Sequence, residues 1–298
     1  MAEPPHVIVT REIADGARVS PEARVGTFCV IGPAVVIGPG TLLGRRVSVA
    51  GRTTIGSDNA IADGCVIGAV PQDLKYRGEP TYLIIGDRNR LGPDVTAHVG
   101  TEDGGSLTRI GSDNVLAAGV HVAHDCFVDD RARLGALVTL GGHVRVETGA
   151  VIEDMTGVAH FTTIGQFSRV ASRTPVSRDV PPFTVFSSLG YYTAPPAVRG
   201  VHEEGLAAAG LSQPDRAAVR QAVRHLFEDK LALAVKADNC LRHPALSEPV
   251  RALCEFCRRA LTGRSGRYRE TFRGRMPPEA QAHLPAAARA RIQAEPGP

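Results

Sequence analysis

The stretch IGSDNVLAAGVHVAHDCFVDDRARLGALVTLGGHVRV, residues 110–146, decides the fold. An aliphatic residue returns at every sixth position: Ile110, Leu116, Val122, Val128, Leu134, Leu140 and Val146. The beat continues through Ile152, Val158, Ile164 and Val170 to Val176. Upstream it runs without a miss from Val7 through Ile13, Val19, Val25, Ile31, Ile37, Leu43, Val49, Ile55 and Ile61 to Ile67, and Ile85 and Leu91 keep it between the two runs. A period of six suits neither an amphipathic helix nor a plain strand. It suits a chain that turns a corner every six residues, so that three sides close a coil of about 18 residues and the aliphatics stack in one column. The repeat predicts a parallel β-helix over 1–183.

The fifth position of each hexapeptide is small as well and must face inward. That makes Cys29, Cys65 and Cys126 core filler and turns Cys126 away from any nucleophile pair with His124. Residues 69–84 and 101–108 leave the beat; the second excursion costs one residue of register. Insertions in a solenoid form loops on one face and commonly carry binding edges. After Pro181-Pro182 the repeat ends. Ser212, with Asp215 three residues on, reads as a helix start, and Val219, Val223, Leu226 and Phe227 follow helical spacing. A further helix is expected from about Leu246 to Leu261. Residues 184–263 are therefore read as a connector and a small α-helical domain. Cys254-x-x-Cys257 falls in that helix with no second such pair, which speaks for packing over zinc. The Arg-, Ala- and Pro-rich tail 264–298 has no clear core and is expected to be poorly ordered.

A chain of 298 residues at 43% hydrophobic can bury a sizeable core. Net charge is +3; the tail 264–298, with seven Arg against three acids, carries +4 and leaves the rest of the chain near −1, so a nucleic-acid-binding body is not expected. No run of about 18 apolar residues offers a membrane span. The opening Met1-Ala2-Glu3-Pro4-Pro5 lacks the features of an export leader, and a cytoplasmic protein is the expectation.

Of the ten histidines, His98, His121, His124, His143 and His160 fall within one stretch. His124 and His160 occupy the third hexapeptide position, two coils apart, and Gly142 lies between them in the same column. A histidine cluster on one wall of a solenoid suits a groove between subunits. A three-histidine zinc site is the competing reading; the i, i+3 spacing of His121 and His124 does not favour it, and no metal or other cofactor is expected.

The segments QDLKYRGEPT (72–81), IGDRNRLGPDVTAHVGT (85–101), GSDNVLAAGVHVAHDC (111–126), TLGGHV (139–144) and DVPPF (179–183) resemble the UDP-N-acetylglucosamine acyltransferase family, over nearly all of 10–262. The resemblance implies that the β-helix is left-handed and the assembly a homotrimer with clefts at subunit boundaries. It also implies a reaction: transfer of a 3-hydroxyacyl group from acyl carrier protein to the sugar 3-hydroxyl of UDP-N-acetylglucosamine, the first step of lipid A synthesis. His124 matches the general base, Asp125 the residue that orients it, and Gly142 the backbone N–H donor to the oxyanion. Gln72, Asp73, Lys75, His98, His121, His143, His160 and Glu204 match substrate-binding positions.

Three departures from the family pattern stand out. Glu153-Asp154-Met155 and Ala171-Ser172 replace glycine-containing segments, placing Asp154 and Ser172 in the column that measures acyl length. Val158-Ala159-His160-Phe161 replaces Val-His-Gln-Phe. In His202-Glu203-Glu204-Gly205-Leu206-Ala207-Ala208-Ala209, the basic residues that usually follow the motif are absent. A diverged relative acylating another nucleotide sugar, or a non-catalytic trimeric paralogue, stays open on these grounds.

Overall fold

Each six-residue side pairs with the side one coil further on. Arg11 faces Cys29, Val36 faces Thr54 and Arg133 faces Val151, each pair parallel and 18 residues apart. Among the described residues three sheets follow, two of eight strands and one of ten, and together they form a left-handed parallel β-helix. The structure, a computed structural model, describes residues 11–188, 195–228, 231–286 and 289. Val7, the first beat of the repeat, lies outside them.

The core is the column the repeat requires: Ile31, Ile67, Val122, Leu140 and Ile164 are fully buried, alongside the fifth-position residues Cys29, Cys65, Cys126, Val138 and Ala150. The Cys126 thiol donates to the carbonyl of Gly141 at 3.1 Å, and burial pushes its pKa up to about 12.

Two devices make the corners. The fourth residue of many hexapeptides is left-handed although it is not glycine: Asp58, Asp94, Asp113, Asp125, Arg131, His143 and Phe161 have φ between 55° and 62°. Each such residue costs on the order of 1 kcal/mol, which the bonding of neighbouring coils offsets. At the third position, an acid on one coil brackets the backbone N–H of the third position on the coil before it. Asp63 accepts from Arg45 (2.8 Å), Asp87 from Ser57 (2.7 Å), Asp130 from Ser112 (2.8 Å) and Asp154 from Ala136 (2.8 Å).

The first excursion inserts whole hexapeptides, since Ile55 pairs with Ile85, 30 residues on. The second shifts the phase by one, since Ile85 pairs with Ile110, 25 residues on. Beyond the last coil, Thr184–Ser187 adds a parallel strand, and Ala197–Val201 returns antiparallel to it. Helices α1 (Glu203–Ala208), α2 (Gln213–Glu228), α3 (Leu233–Leu241) and α4 (Glu248–Ala260) follow. The Ser212 hydroxyl accepts the Asp215 N–H at 3.2 Å, which starts α2. Val219, Val223, Leu226, Val250, Leu253, Cys254 and Cys257 pack with Phe167 and Phe183 of the closing coils.

The tail departs from expectation. Residues 264–286 do not hang free; they run back along the β-helix through two 3-10 turns and α5 (Pro278–His283). The physical reason is a small apolar stripe. Met276, Ala280 and Leu284, four residues apart, cover the outward-facing Leu107 and Phe127, and Ala280 and Leu284 are buried by the contact. Residues 287–288 and 290–298 of the tail lie outside the described residues.

Candidate active site

The 18-residue coil places His124, Gly142 and His160 in one corner column and Asp125, His143 and Phe161 in the next. The left-handed turn at Asp125 brings its carboxylate under the ring of the preceding residue. His124 Nδ1 lies 2.8 Å from Asp125 Oδ2. A carboxylate accepts, so Nδ1 carries the hydrogen and Nε2 keeps its lone pair. Asp125 is fully buried. Its Oδ1 accepts the Thr101 N–H at 2.8 Å and its Oδ2 the Thr101 hydroxyl at 2.6 Å, while its own N–H donates to Thr108 Oγ1 at 2.8 Å. Both threonines belong to the second excursion, which therefore holds the orienting acid.

Gly142 makes room for the imidazole: a Cβ there would stand 2.7 Å from His124 Cε1 and 2.8 Å from Nε2. The corner also breaks the acidic bracket. The residue one coil above Gly142 is His160, not Asp, and no acceptor meets the Gly142 N–H among the described residues. One basic nitrogen and one uncommitted backbone N–H thus stand side by side.

The other histidines surround this pair. His143 lies edge-on to His124, with ring centroids 5.2 Å apart, and stacks on Phe161 at 4.2 Å. Burial pushes the His143 pKa down to about 4, against the pull of Asp125 and with help from His124 and Arg269, so its ring is neutral near pH 7. The charge of Asp73, in the first excursion, also reaches His143. His98 Nδ1 donates to the Val70 carbonyl at 2.6 Å, and His121 Nδ1 meets Thr96 Oγ1 at 2.7 Å. Burial, with His98 and His124 nearby, holds His121 below its ordinary value. Lys75 is exposed and ties the two excursions together through Asp103 at 3.1 Å. Gln72 is exposed. His160 is exposed, edge-on to Phe161, and drawn down by partial desolvation and by Arg267.

Asp154 and Ser172 share the column their phase gives, yet they do not meet. Asp154 is one of the corner brackets, and Ser172 bonds to Glu153 through its N–H (3.0 Å) and hydroxyl (3.1 Å). Glu204 does not join the histidine cluster. It is exposed on α1 and pairs with His202 at 3.3 Å, whose Nδ1 donates to the Phe167 carbonyl at 2.8 Å.

Thr101, Thr108, Phe161, Arg269 and Arg273 also reach this corner, and none of them is marked by a motif in the sequence. Phe161 had a signal, since it shares the phase of His143. The threonines sit in or beside an excursion without periodicity, and the arginines reach the site from more than a hundred residues away.

The ligand atoms of His124, Asp125 and His143 lie within 4.8 Å of one another. A zinc ion would need about 2.0–2.2 Å to each, but His124 Nδ1 and Asp125 Oδ2 are already committed to each other. The donor set fits a base and its orienter better than a metal centre. A cavity of about 350 Å³, lined by Arg145, Glu147, Gln166, Phe256 and Arg259, lies between the closing coils and α4, apart from His124. No helix of the described residues is long and apolar enough to cross a membrane.

Residues 179–266 match the family model of UDP-N-acetylglucosamine O-acyltransferase, domain 2. Among solved structures, the chain is 32% identical to LpxA from Acinetobacter baumannii, over 83% of this chain and 94% of that one, with a TM-score of 0.77. It is 25% identical to the UDP-N-acetylglucosamine acyltransferase of Francisella novicida, covering 94% and 96% of the two chains with a TM-score of 0.80. The corresponding Arabidopsis enzyme is 26% identical over 85% and 96%, with a TM-score of 0.71.

Proposed function

The chain belongs to the UDP-N-acetylglucosamine O-acyltransferase family, and on that premise we propose that it moves a 3-hydroxyacyl group from acyl carrier protein to the 3-hydroxyl of UDP-N-acetylglucosamine, the opening step of lipid A synthesis. The observation that carries this reading is the His124–Asp125 pair beside the uncommitted Gly142 N–H.

A sugar hydroxyl is a weak nucleophile near neutral pH. His124 Nε2 takes its proton as the oxygen attacks the thioester carbonyl. Asp125 fixes the tautomer that leaves Nε2 free and stabilises the imidazolium that forms. The carbonyl oxygen becomes an oxyanion and accepts the Gly142 N–H. Collapse breaks the carbon–sulfur bond, and the imidazolium returns its proton to the leaving thiolate. Transfer is direct, with no acyl-enzyme. His98, His121, His143 and Asp73, gathered around this corner, are the groups available to bind the sugar. With it go a homotrimer with clefts at subunit boundaries, Glu204 and His160 as substrate-binding groups, a place in the cytoplasm, and acyl carrier protein as partner.

The test is turnover by purified protein, offered UDP-N-acetylglucosamine and 3-hydroxyacyl carrier proteins of several chain lengths. Product formation lost on His124→Ala supports the reading; a folded wild-type trimer that makes no product with any of them overturns it. The acidic, arginine-free stretch from Glu203 to Ala209 favours one alternative, a different nucleotide sugar as acceptor, which turnover with that sugar alone would establish.

A further inference from the structure

The segment that returns along the β-helix touches both loops that shape the active corner. It begins at a clip: the Asp179 N–H donates to the Gly266 carbonyl at 2.8 Å, and Asp179 Oδ2 accepts the Tyr268 N–H at 2.8 Å. Arg269 then points inward, only 3% exposed, and its Nε donates to the carbonyl of His143 at 2.7 Å. The guanidinium lies 5.5 Å from the centre of the Phe127 ring and 3.3 Å from Glu279. Glu279 in turn accepts Arg145 at 2.6 Å, and Arg145 holds Asp129 at 2.9 Å. A buried charge tied at both ends in this way has little freedom to move.

Further on, the guanidinium of Arg273 stands 4.5 Å from the centre of Phe161, the ring stacked on His143. The same segment backs the second excursion. A Cβ on Gly105 would stand 2.8 Å from Ala280 and 3.1 Å from both Met276 and Pro277. That excursion carries Thr101, which grips both oxygens of Asp125. Residues beyond 266 lie past the end of the family-model match.

We propose that residues 267–284 are a strap over the active corner and that Arg269 is a positioning residue for acyl transfer: by holding the His143 carbonyl it keeps the chain that carries Gly142 and His143 in register with His124, while α5 backs the loop that orients Asp125. The inference rests on the transfer reading for its catalytic part only. Arg269 never touches substrate. It acts through the His143 carbonyl, one residue from the oxyanion donor.

The test uses the full chain with Arg269→Met, which removes donor and charge at similar length. Two readouts are taken: kcat and KM for the nucleotide sugar, and local hydrogen exchange by mass spectrometry. The expected result is a kcat lowered by about tenfold or more, as for a displaced catalytic group, with KM changed less than about threefold. Exchange should rise in peptides spanning 100–108 and 139–146 and stay unchanged in peptides spanning 29–50. A folded variant whose exchange at 139–146 matches wild type overturns the strap. Faster exchange there with kcat within about twofold of wild type overturns the positioning role. If Arg269→Met does not fold, Glu279→Gln releases Arg269 from its ion pair and is read the same way. A wild-type protein inactive on these substrates refutes the transfer reading, and exchange alone then decides whether the strap exists.

Discussion

Replacing Gly142 by alanine puts a single methyl group against the His124 imidazole, the proposed base. Gly142 has an ordinary negative φ, so alanine can adopt its backbone, and the peptide N–H offered to the oxyanion is retained. The added Cβ would stand 2.7 Å from His124 Cε1 and 2.8 Å from Nε2, where non-bonded carbons prefer about 3.5–4.0 Å. The ring must therefore retreat by about 1 Å. Its hydrogen bond to Asp125 begins at 2.8 Å, and a retreat of that size takes it past the useful limit of about 3.5 Å. Asp125 cannot follow the ring, since it is held by Thr101 and Thr108. A misplacement of about 1 Å costs about a hundredfold in rate, equal to about 2.7 kcal/mol in the barrier. The assay is steady-state turnover with a saturating acyl donor, alongside a thermal melt to show that the fold is kept. A folded Gly142→Ala enzyme with kcat within threefold of wild type would refute the placement of the base against this glycine.

Asp125→Asn keeps the shape but points an amide toward His124 Nδ1, favouring the wrong tautomer; kcat should fall by about 10³–10⁴-fold with the fold intact, measured by turnover and circular dichroism. Asn89 is fully buried in a corner ladder: its Nδ2 donates to Asn59 Oδ1 (2.9 Å) and the Gly111 carbonyl (2.8 Å), and its Oδ1 accepts the Asn114 N–H (2.9 Å). Asn89→Ala orphans buried groups and should cost about 3 kcal/mol in denaturant unfolding at fixed protomer concentration. Burial holds folded His143 at about 4, below the 6.5 of a free imidazole, so the unfolded chain takes up this proton first as pH falls. The stability owed to neutral His143 is whole above about pH 6.5 and is lost as pH drops toward 4, a difference of about 3 kcal/mol at the limit. His143→Gln should therefore flatten the pH dependence of unfolding across that window, and parallel curves for the two proteins would contradict the burial argument.

Much of the corner was legible because the repeat is a ruler. Once a coil is known to take 18 residues, His124, Gly142 and His160 must share one column and Asp125, His143 and Phe161 the next, whatever else the chain does. The same ruler could not say which acid faces a ligand. Asp154 has the right phase for the acyl column, but its carboxylate closes a corner as Asp63, Asp87 and Asp130 do. Phase gives the direction of a side chain, and only its neighbours decide what it bonds.

The sequence by itself determined the coil, its three-sided section, the inward cysteines, the two excursions and the corner column that carries His124, because each follows from a short period repeated along the chain. The tertiary structure alone decided what surrounds that imidazole: Thr101 and Thr108 on Asp125, the Gly142 N–H without an acceptor among the described residues, and Arg269 on the His143 carbonyl. These contacts join residues from excursions and a returning tail, where no periodicity fixes direction. Met276, Ala280 and Leu284 show the limit plainly, for three apolar residues in an arginine-rich tail become a docking stripe only when Leu107 and Phe127 are there to meet them.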